Sequence, residues 1–524
     1  MFPLLLLITL FAFSPALKYG FIQWDDQEYI LMNPLVQAPH ISDIKRIFQQ
    51  FILGNYQPLT VLTFAVEKHI FGLNPSVFHL HNILLHLANV FLVYYFVSLL
   101  LKNKTVSVLA AVLFAIHPMR VESVVWVSER KDVLFAFFYL WGLIVYQKRD
   151  NRIPKPFFNS TGVFILFLCS LFSKPAAVSF PFILFLLDYW NNKKQTVYAT
   201  LEKALFLCVS FAFGCVALFA DKFSPLEQSV YLSQRTHWSL LDRILLSCHA
   251  VILSLTKMLF PFKLSAYYPY PDKLDGHWPM IVYVHTILLL ISAILVWKFY
   301  KKNKTILFTI GFFLSTIIFN LPIFGAGHTI IADRFGYLPF IGPFIIMAVL
   351  CEDVFKYLLE RNHQYRPIII TCLVLIIIFL SSTCRLEAKK WRSVWHLWND
   401  VIDKYPNVGL AYRNRGNLLI GMNEPQLAWL DINRAIALNP YDAKSYEIRG
   451  TLKLLNNREA EALEDFTLAL KIRPDLLTAL QLRASTYILL EKCDAAILDL
   501  RRILEAAPGD NTAKLNLKQC IPSR

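Results

Sequence analysis

Pro367-Ile368-Ile369-Ile370-Thr371-Cys372-Leu373-Val374-Leu375-Ile376-Ile377-Ile378-Phe379-Leu380 is an apolar run without a charge, and Arg385-Leu386-Glu387-Ala388-Lys389-Lys390 follows it with charged, helix-forming sequence that continues to the C-terminus. Such a run reads as a membrane-spanning helix. The change at Arg385 divides the chain into an expected transmembrane domain (1–384), an amphipathic lead-in (385–406), a repeat region (407–508) and a capping helix with tail (509–524). Composition agrees. Of 524 residues, 56% are hydrophobic and 17% charged, with mean hydropathy +0.46, whereas about 25% charged is usual for a soluble domain.

Similar runs occur at roughly 3–18, 81–101, 105–117, 132–147, 158–173, 176–190, 200–220, 281–299, 305–324 and 338–351, which makes about eleven spans. The net charge of +15 does not point to nucleic acid, because the Lys and Arg residues sit in short clusters between these runs. Lys102 and Lys104, Lys148 to Lys155, Lys193 and Lys194, Lys298 to Lys304, and Lys356 to Arg366 share one side if each segment crosses once. The positive-inside rule makes that side the cytoplasm. The stretch 243–262 then reads as re-entrant or interfacial, and everything after Arg385 is expected outside. Residues 1–17 have a second reading as a cleaved signal peptide ending near Ser14-Pro15-Ala16, although no basic n-region precedes them. The nine cysteines form no C-x-x-C pair, and those within apolar runs read as small buried hydrophobes. Sequons at Asn103, Asn159 and Asn303 fall in expected cytoplasmic loops and carry no weight.

After residue 406 a period of 34 is plain: Pro406, Pro440, Pro474 and Pro508; Arg415, Arg449 and Arg483; Asp431, Asp465 and Asp499. That is the tetratricopeptide-repeat (TPR) period. Gly416, Gly450 and Ala484 take one small position, Ala428, Ala462 and Ala496 another, and Tyr412 and Tyr446 an aromatic core site. The expected fold is all-α: a polytopic helix bundle followed by a TPR solenoid of three repeats. The array's concave face suits an extended peptide or partner protein, but three repeats also suffice merely for a stable stack.

Ionisable residues at the outer side suggest chemistry. Trp24-Asp25-Asp26-Gln27-Glu28-Tyr29 follows the first span. Paired carboxylates could accept a hydroxyl proton or hold a divalent cation, and an acidic interfacial loop with a Trp anchor has the same look. Arg120, Glu122, Glu129, Arg130, Lys131 and Asp132 crowd one short external stretch. Its cations could bind phosphate oxygens, or the stretch could be a salt-bridged cap. Lys174 and Arg334, the latter close to Tyr337, are expected at one depth, as a lipid-linked phosphate would require; snorkelling anchors look alike. His79, His81 and His86 have near-helical spacing and could ligate a metal, though packing is the commoner role.

The ordered blocks Trp24-Asp25-Asp26, Tyr56-Gln57-Pro58-Leu59-Thr60, Phe78-His79-Leu80-His81-Asn82, His117-Pro118, Val125-Trp126-Val127-Ser128-Glu129-Arg130-Lys131-Asp132, Ser173-Lys174-Pro175, Asp188-Tyr189-Trp190, Tyr268-Pro269-Tyr270-Pro271 and Asp333-Arg334 with Tyr337-Leu338-Pro339 resemble the transmembrane and tetratricopeptide-repeat-containing family. The resemblance runs almost the whole chain. It implies a bundle of GT-C type and a protein O-mannosyltransferase-like enzyme, which moves mannose from a polyprenyl-phosphate donor to Ser or Thr hydroxyls outside the cytoplasm. It also implies that Asp25 and Asp26 are catalytic. Donor phosphate would meet Arg120, Arg130, Lys131, Lys174, Arg334 and Tyr337, with Glu122, Glu129, Asp132, His79 and His81 in support. The short array suggests a bacterial-type member, in the inner membrane with its repeats in the periplasm; a eukaryotic member would sit in the ER membrane with luminal repeats. A non-catalytic scaffold carrying a TPR adaptor, or a transporter of polyprenol-linked glycan, are the competing classes. A transporter should show internal repeats of its span pattern, and the sequence has none.

Overall fold

The computed structural model describes residues 2–149, 156–193, 196–220, 238–324, 327 and 329–521. The regular elements of the described residues are all helices, apart from two isolated bridges at Ile52–Asn55 and Leu274–His277. The described residues group into two compact units that divide between His396 and Leu397.

In the first unit, α1 (Phe2–Phe13) leads through short turns to α2 (Pro58–Phe71), α3 (Pro75–Leu101) and α4 (Lys104–Ile116). Next come the short α5 (Val121–Val125), α6 (Arg130–Gln147), α7 (Pro156–Ser173), α8 (Phe180–Trp190) and α9 (Val197–Ala220). The unit continues with α10 (Leu240–Leu259), α11 (Met280–Tyr300), α12 (Lys304–Ile317), α13 (Ile341–Arg361) and α14 (Tyr365–Lys390). Starts follow local chemistry: Asn74, Asn103 and Asn303 each cap a helix through the side-chain oxygen, and proline occupies the first turn of α2 and α3.

Among the described residues, four helices are long and apolar enough to cross a membrane: Pro75–Leu101, Ala199–Ala220, Met280–Tyr300 and Tyr365–Lys390. Lys104–Ile116 with Pro118–Val125, bent by 60°, makes a fifth if it is one broken span. Shorter apolar helices lie at Pro3–Lys18, Thr161–Ser173, Pro175–Trp190 and Lys304–Asn320. Only 6% of the most apolar window of Met280–Tyr300 is buried by protein, against 50% for Pro75–Leu101. Ile287, Leu290, Ile294 and Trp297 therefore face outward, as a lipid-facing surface requires. The stretch expected to be re-entrant forms α10, which lies against α11 with His249 stacked on His285 at 4.7 Å. Gly342 lets α13 meet α12 closely, since a Cβ there would lie 2.4 Å from the Thr309 carbonyl oxygen.

The second unit contains most of α15 (Val394–Lys404) and the hairpins α16/α17 (Gly409–Gly421, Pro425–Leu438), α18/α19 (Ala443–Leu455, Glu459–Ile472) and α20/α21 (Leu477–Leu489, Cys493–Ala506), closed by α22 (Asn511–Cys520). Each hairpin carries one forked ion pair: Arg415 to Asp431 at 2.7 and 2.8 Å, Arg449 to Asp465 at 2.9 and 2.7 Å, Arg483 to Asp499 at 2.8 Å twice. The remaining guanidinium nitrogen donates to a residue of the preceding helix pair's second helix or, for the first, of α15: Asn399, Asn433 and Thr467. The period thus has a physical basis in a bond that recurs within and between hairpins. A Cβ at Gly450 would meet the Phe466 ring at 2.6 Å, whereas one at Gly421 meets nothing within 4 Å. We expect Gly450→Ala to destabilise the full chain by about 1–3 kcal/mol through overpacking. Gly421→Ala should be neutral or mildly stabilising on helix propensity; thermal unfolding of the two variants side by side checks this.

Candidate functional site

Residues 21–65 form a buried apolar patch in which Tyr29, Ile30, Val36, Ile47 and Ile52 pack on Val61, Phe64 and Ala65 of α2, Phe78 of α3 and Val127. This anchors the loop after α1 and so sets the two carboxylates. Asp26 is fully buried, and its oxygens accept from the backbone N–H groups of Ile22 and Ser128, both at 2.8 Å. Burial pushes its carboxyl up to about 7 against the lowering effect of those donors. Asp25, by contrast, keeps 22% side-chain exposure and has the Lys131 ammonium 3.6 Å away. Burial raises its pKa as well, with Lys131 pulling the other way. The structure therefore gives the pair two different situations: Asp26 ties loops together, and Asp25 is the carboxylate that solvent or substrate can reach.

From Asp25 a chain of alternating charge runs inward. Lys131 also pairs with Glu129 at 3.0 Å, Glu129 lies 3.4 Å from Arg334, and Arg334 pairs with Glu122, whose second oxygen accepts from the Arg334 backbone N–H at 2.9 Å. Burial alone would push Glu129 up, yet Lys131 and Arg334 together hold it at about 2. Asp132 pairs with Lys174 and accepts from the Ser123 hydroxyl at 2.9 Å. Lys174 and Arg334, distant in sequence, border one narrow recess with Phe135, Thr316, Asn320, Phe335, Leu338 and Pro339. Each cation already has a carboxylate partner there, Asp132 for Lys174 and Glu122 and Glu129 for Arg334, so an arriving anion would share them.

Other candidates lie elsewhere. Arg120 is fully buried, donates to the carbonyls of Gly336 and Tyr337, and is ringed by Phe114, Tyr337, Phe340 and Phe344 at 5.2 to 5.7 Å. Arg130 is 2% exposed and bonds Asn82, Glu67 and the Phe78 carbonyl. Tyr337 is buried against His86 (2.7 Å) and Asn89 (3.1 Å). Arg120, Arg130 and Tyr337 are thus packed within the bundle, apart from the recess that Lys174 and Arg334 border. His79 is buried edge-on to Tyr19, and His81 pairs with Glu67 at 2.6 Å. Among the described residues no three His, Cys, Asp or Glu side chains converge as a metal would need. Glu67, the counterion of Arg130, carries only a weak signal in the sequence, because Lys68 and His69 follow it directly and offer it local partners.

No family model matches the chain. Among curated proteins it is 23% identical over 466 residues to the Caenorhabditis elegans protein O-mannosyl-transferase F38B6.6, covering 85% of this chain and 63% of that one. It is 32% identical over 151 residues to mouse protein O-mannosyl-transferase TMTC3 (26% of this chain, 16% of the relative). The human TMTC2 enzyme is 38% identical over 94 residues (18% and 11%). The chain thus spans less than two thirds of each of these relatives. All three are animal proteins, and they lend no support to the bacterial-type membership expected from the short array.

Asp26→Asn keeps one acceptor oxygen but turns an N–H donor toward a backbone N–H. We expect it to lower stability by about 1–3 kcal/mol, the cost of an unsatisfied buried donor, measurable as a drop in melting temperature of the detergent-solubilised protein.

Proposed function

We propose that the protein is a membrane glycosyltransferase that moves a sugar, expected to be mannose, from a polyprenyl-phosphate donor to Ser or Thr hydroxyls of a polypeptide on the non-cytoplasmic side. The observation that carries this reading is the partly exposed Asp25 beside Lys131, joined through Glu129 to Arg334, which borders a recess with Lys174. The names of the relatives support the reaction class. In this reading the bundle is of GT-C type with about eleven crossings, and the hairpins of the second unit are TPR repeats that hold the acceptor polypeptide.

The chemistry follows from the charges. Asp25 takes the proton of the acceptor hydroxyl as the new C–O bond forms at the anomeric carbon. The bond from that carbon to the donor phosphate breaks on the opposite face, which inverts the centre. The departing phosphate keeps the electron pair, and Lys174 and Arg334 stabilise its charge. Lys131 favours the ionised form of Asp25, partly opposing the effect of its burial, and aims it. A divalent cation at the Asp25-Asp26 pair would rest mainly on Asp25, because both Asp26 oxygens already accept backbone donors.

Transfer of labelled mannose from polyprenyl-phosphate mannose to polypeptide, in membranes containing the protein, tests the proposal. Asp25→Asn should lower the rate by at least about 100-fold with unchanged expression. Full activity in that variant would favour the scaffold reading instead. Because a base works only when ionised, the rate should rise with pH through the elevated pKa of Asp25, placing the acid limb above the ordinary carboxylate range. Glu129→Gln removes a negative neighbour that raises that pKa, so its acid limb should move to lower pH. Lys174→Met should raise donor KM on the order of tenfold, as loss of one charge-assisted contact would.

A further inference from the structure

Three indoles from distant parts of the chain stand in a row. Trp24, one residue before Asp25, stacks on Trp126 with centroids 4.6 Å apart and planes 19° apart, and Trp126 meets Trp391 at 5.1 Å and 30°. Trp126 is 1% exposed and Trp391 5%, so the middle and far rings are sealed in the protein. The Arg334 guanidinium sits 5.6 Å from the Trp126 ring and the Lys131 ammonium 6.0 Å, so the same indole borders the charges that flank Asp25. Stacked aromatic pairs fix relative orientation as well as adding contact.

Two ties hold the loop of Asp25 to the stretch 126–128: the Asp26 bond to the Ser128 amide and the Trp24–Trp126 stack. Trp391 is the backstop of the second. It closes α14, whose end is also held by Arg385 donating to the Phe11 carbonyl at 2.7 Å and by Lys390 donating to the Leu264 carbonyl at 3.3 Å. The chain runs on from there into α15. We infer that Trp391 is a positioning residue for sugar transfer, acting through Trp126 and Trp24 to hold Asp25 in place against the acceptor hydroxyl, and that the segment leading out of the bundle thereby bears on the base. This rests on Asp25 being the base. Trp391 is not itself a catalytic residue, and its effect falls on the chemical step while donor binding at the Lys174–Arg334 recess is spared.

Two measurements on the full chain in membranes test it. Trp391→Ala and Trp391→Leu should lower kcat by tenfold or more, in line with a misplacement of about 1 Å, with donor KM within twofold of wild type. Trp391→Phe, which restores an aromatic face, should recover most of that rate. Wild-type kcat in the Ala variant, or equal losses in all three accompanied by a rise in donor KM, would overturn the inference. Independently of turnover, the rate at which a small maleimide alkylates D25C, read at that peptide by mass spectrometry, should change at least threefold when Trp391→Ala is added and little with Trp391→Phe. An unchanged rate overturns the positional tie whatever the transfer assay reads. A changed rate, where the wild-type chain with Asp25 intact transfers no sugar, upholds the tie and overturns the transferase reading alone.

Discussion

A carboxylate sealed from water at Asp26 and shared between the amides of Ile22 and Ser128 is the tie on which this end of the bundle depends. Isolated, such a group would be too costly to bury ionised. Two backbone donors offset that cost and, in doing so, fix the loop after α1 to the break between α4 and α6. The neighbouring Asp25 is then delivered to a partly exposed place, where Lys131 is its ion-pair partner. Adjacent residues of one type thus divide into a buried fastener and a more accessible carboxylate.

The charges around them obey the same economy. Asp25, Lys131, Glu129, Arg334 and Glu122 alternate in sign, and Asp132 answers Lys174. A chain of this kind satisfies each buried charge locally, with Asp25 at its more exposed end and Glu122 at its buried one. Arg120 and Arg130 show the contrasting use of the same side chain. Wrapped in aromatic rings and backbone carbonyls or held by Glu67, they brace helices and present nothing outward.

What the sequence alone revealed varied with how local the cause was. The hairpins of the second unit were legible because a bond between residues sixteen apart, such as Arg449 to Asp465, repeats with the period of the chain. The acidic pair was legible as chemistry, but the difference between Asp25 and Asp26 was not, since the donors that capture Asp26 are backbone groups without a residue signature. The same holds for Arg120, whose acceptors are the carbonyls of Gly336 and Tyr337. Lys174 and Arg334 could be guessed to share a depth, yet only the packing of α6, α7 and α12 brings them to one recess. The membrane segments were plain where one long helix is apolar throughout, as in Met280–Tyr300. They were less so where a span is short or breaks, as at His117-Pro118.

The forked pairs of the second unit have a further outcome. Because the spare nitrogen of Arg449 bonds Asn433 of the preceding hairpin, and that of Arg483 bonds Thr467 at the equivalent site, each junction is built from parts that the next junction supplies again. Excising 440–473 would set Arg483 opposite Asn433, so the forked pair could re-form across the new seam, while the buried Arg413 would lose Asp442 and meet Leu476 in its place. The array is therefore suited to lengthen or shorten by whole periods, since only a whole period brings the next arginine to an equivalent acceptor.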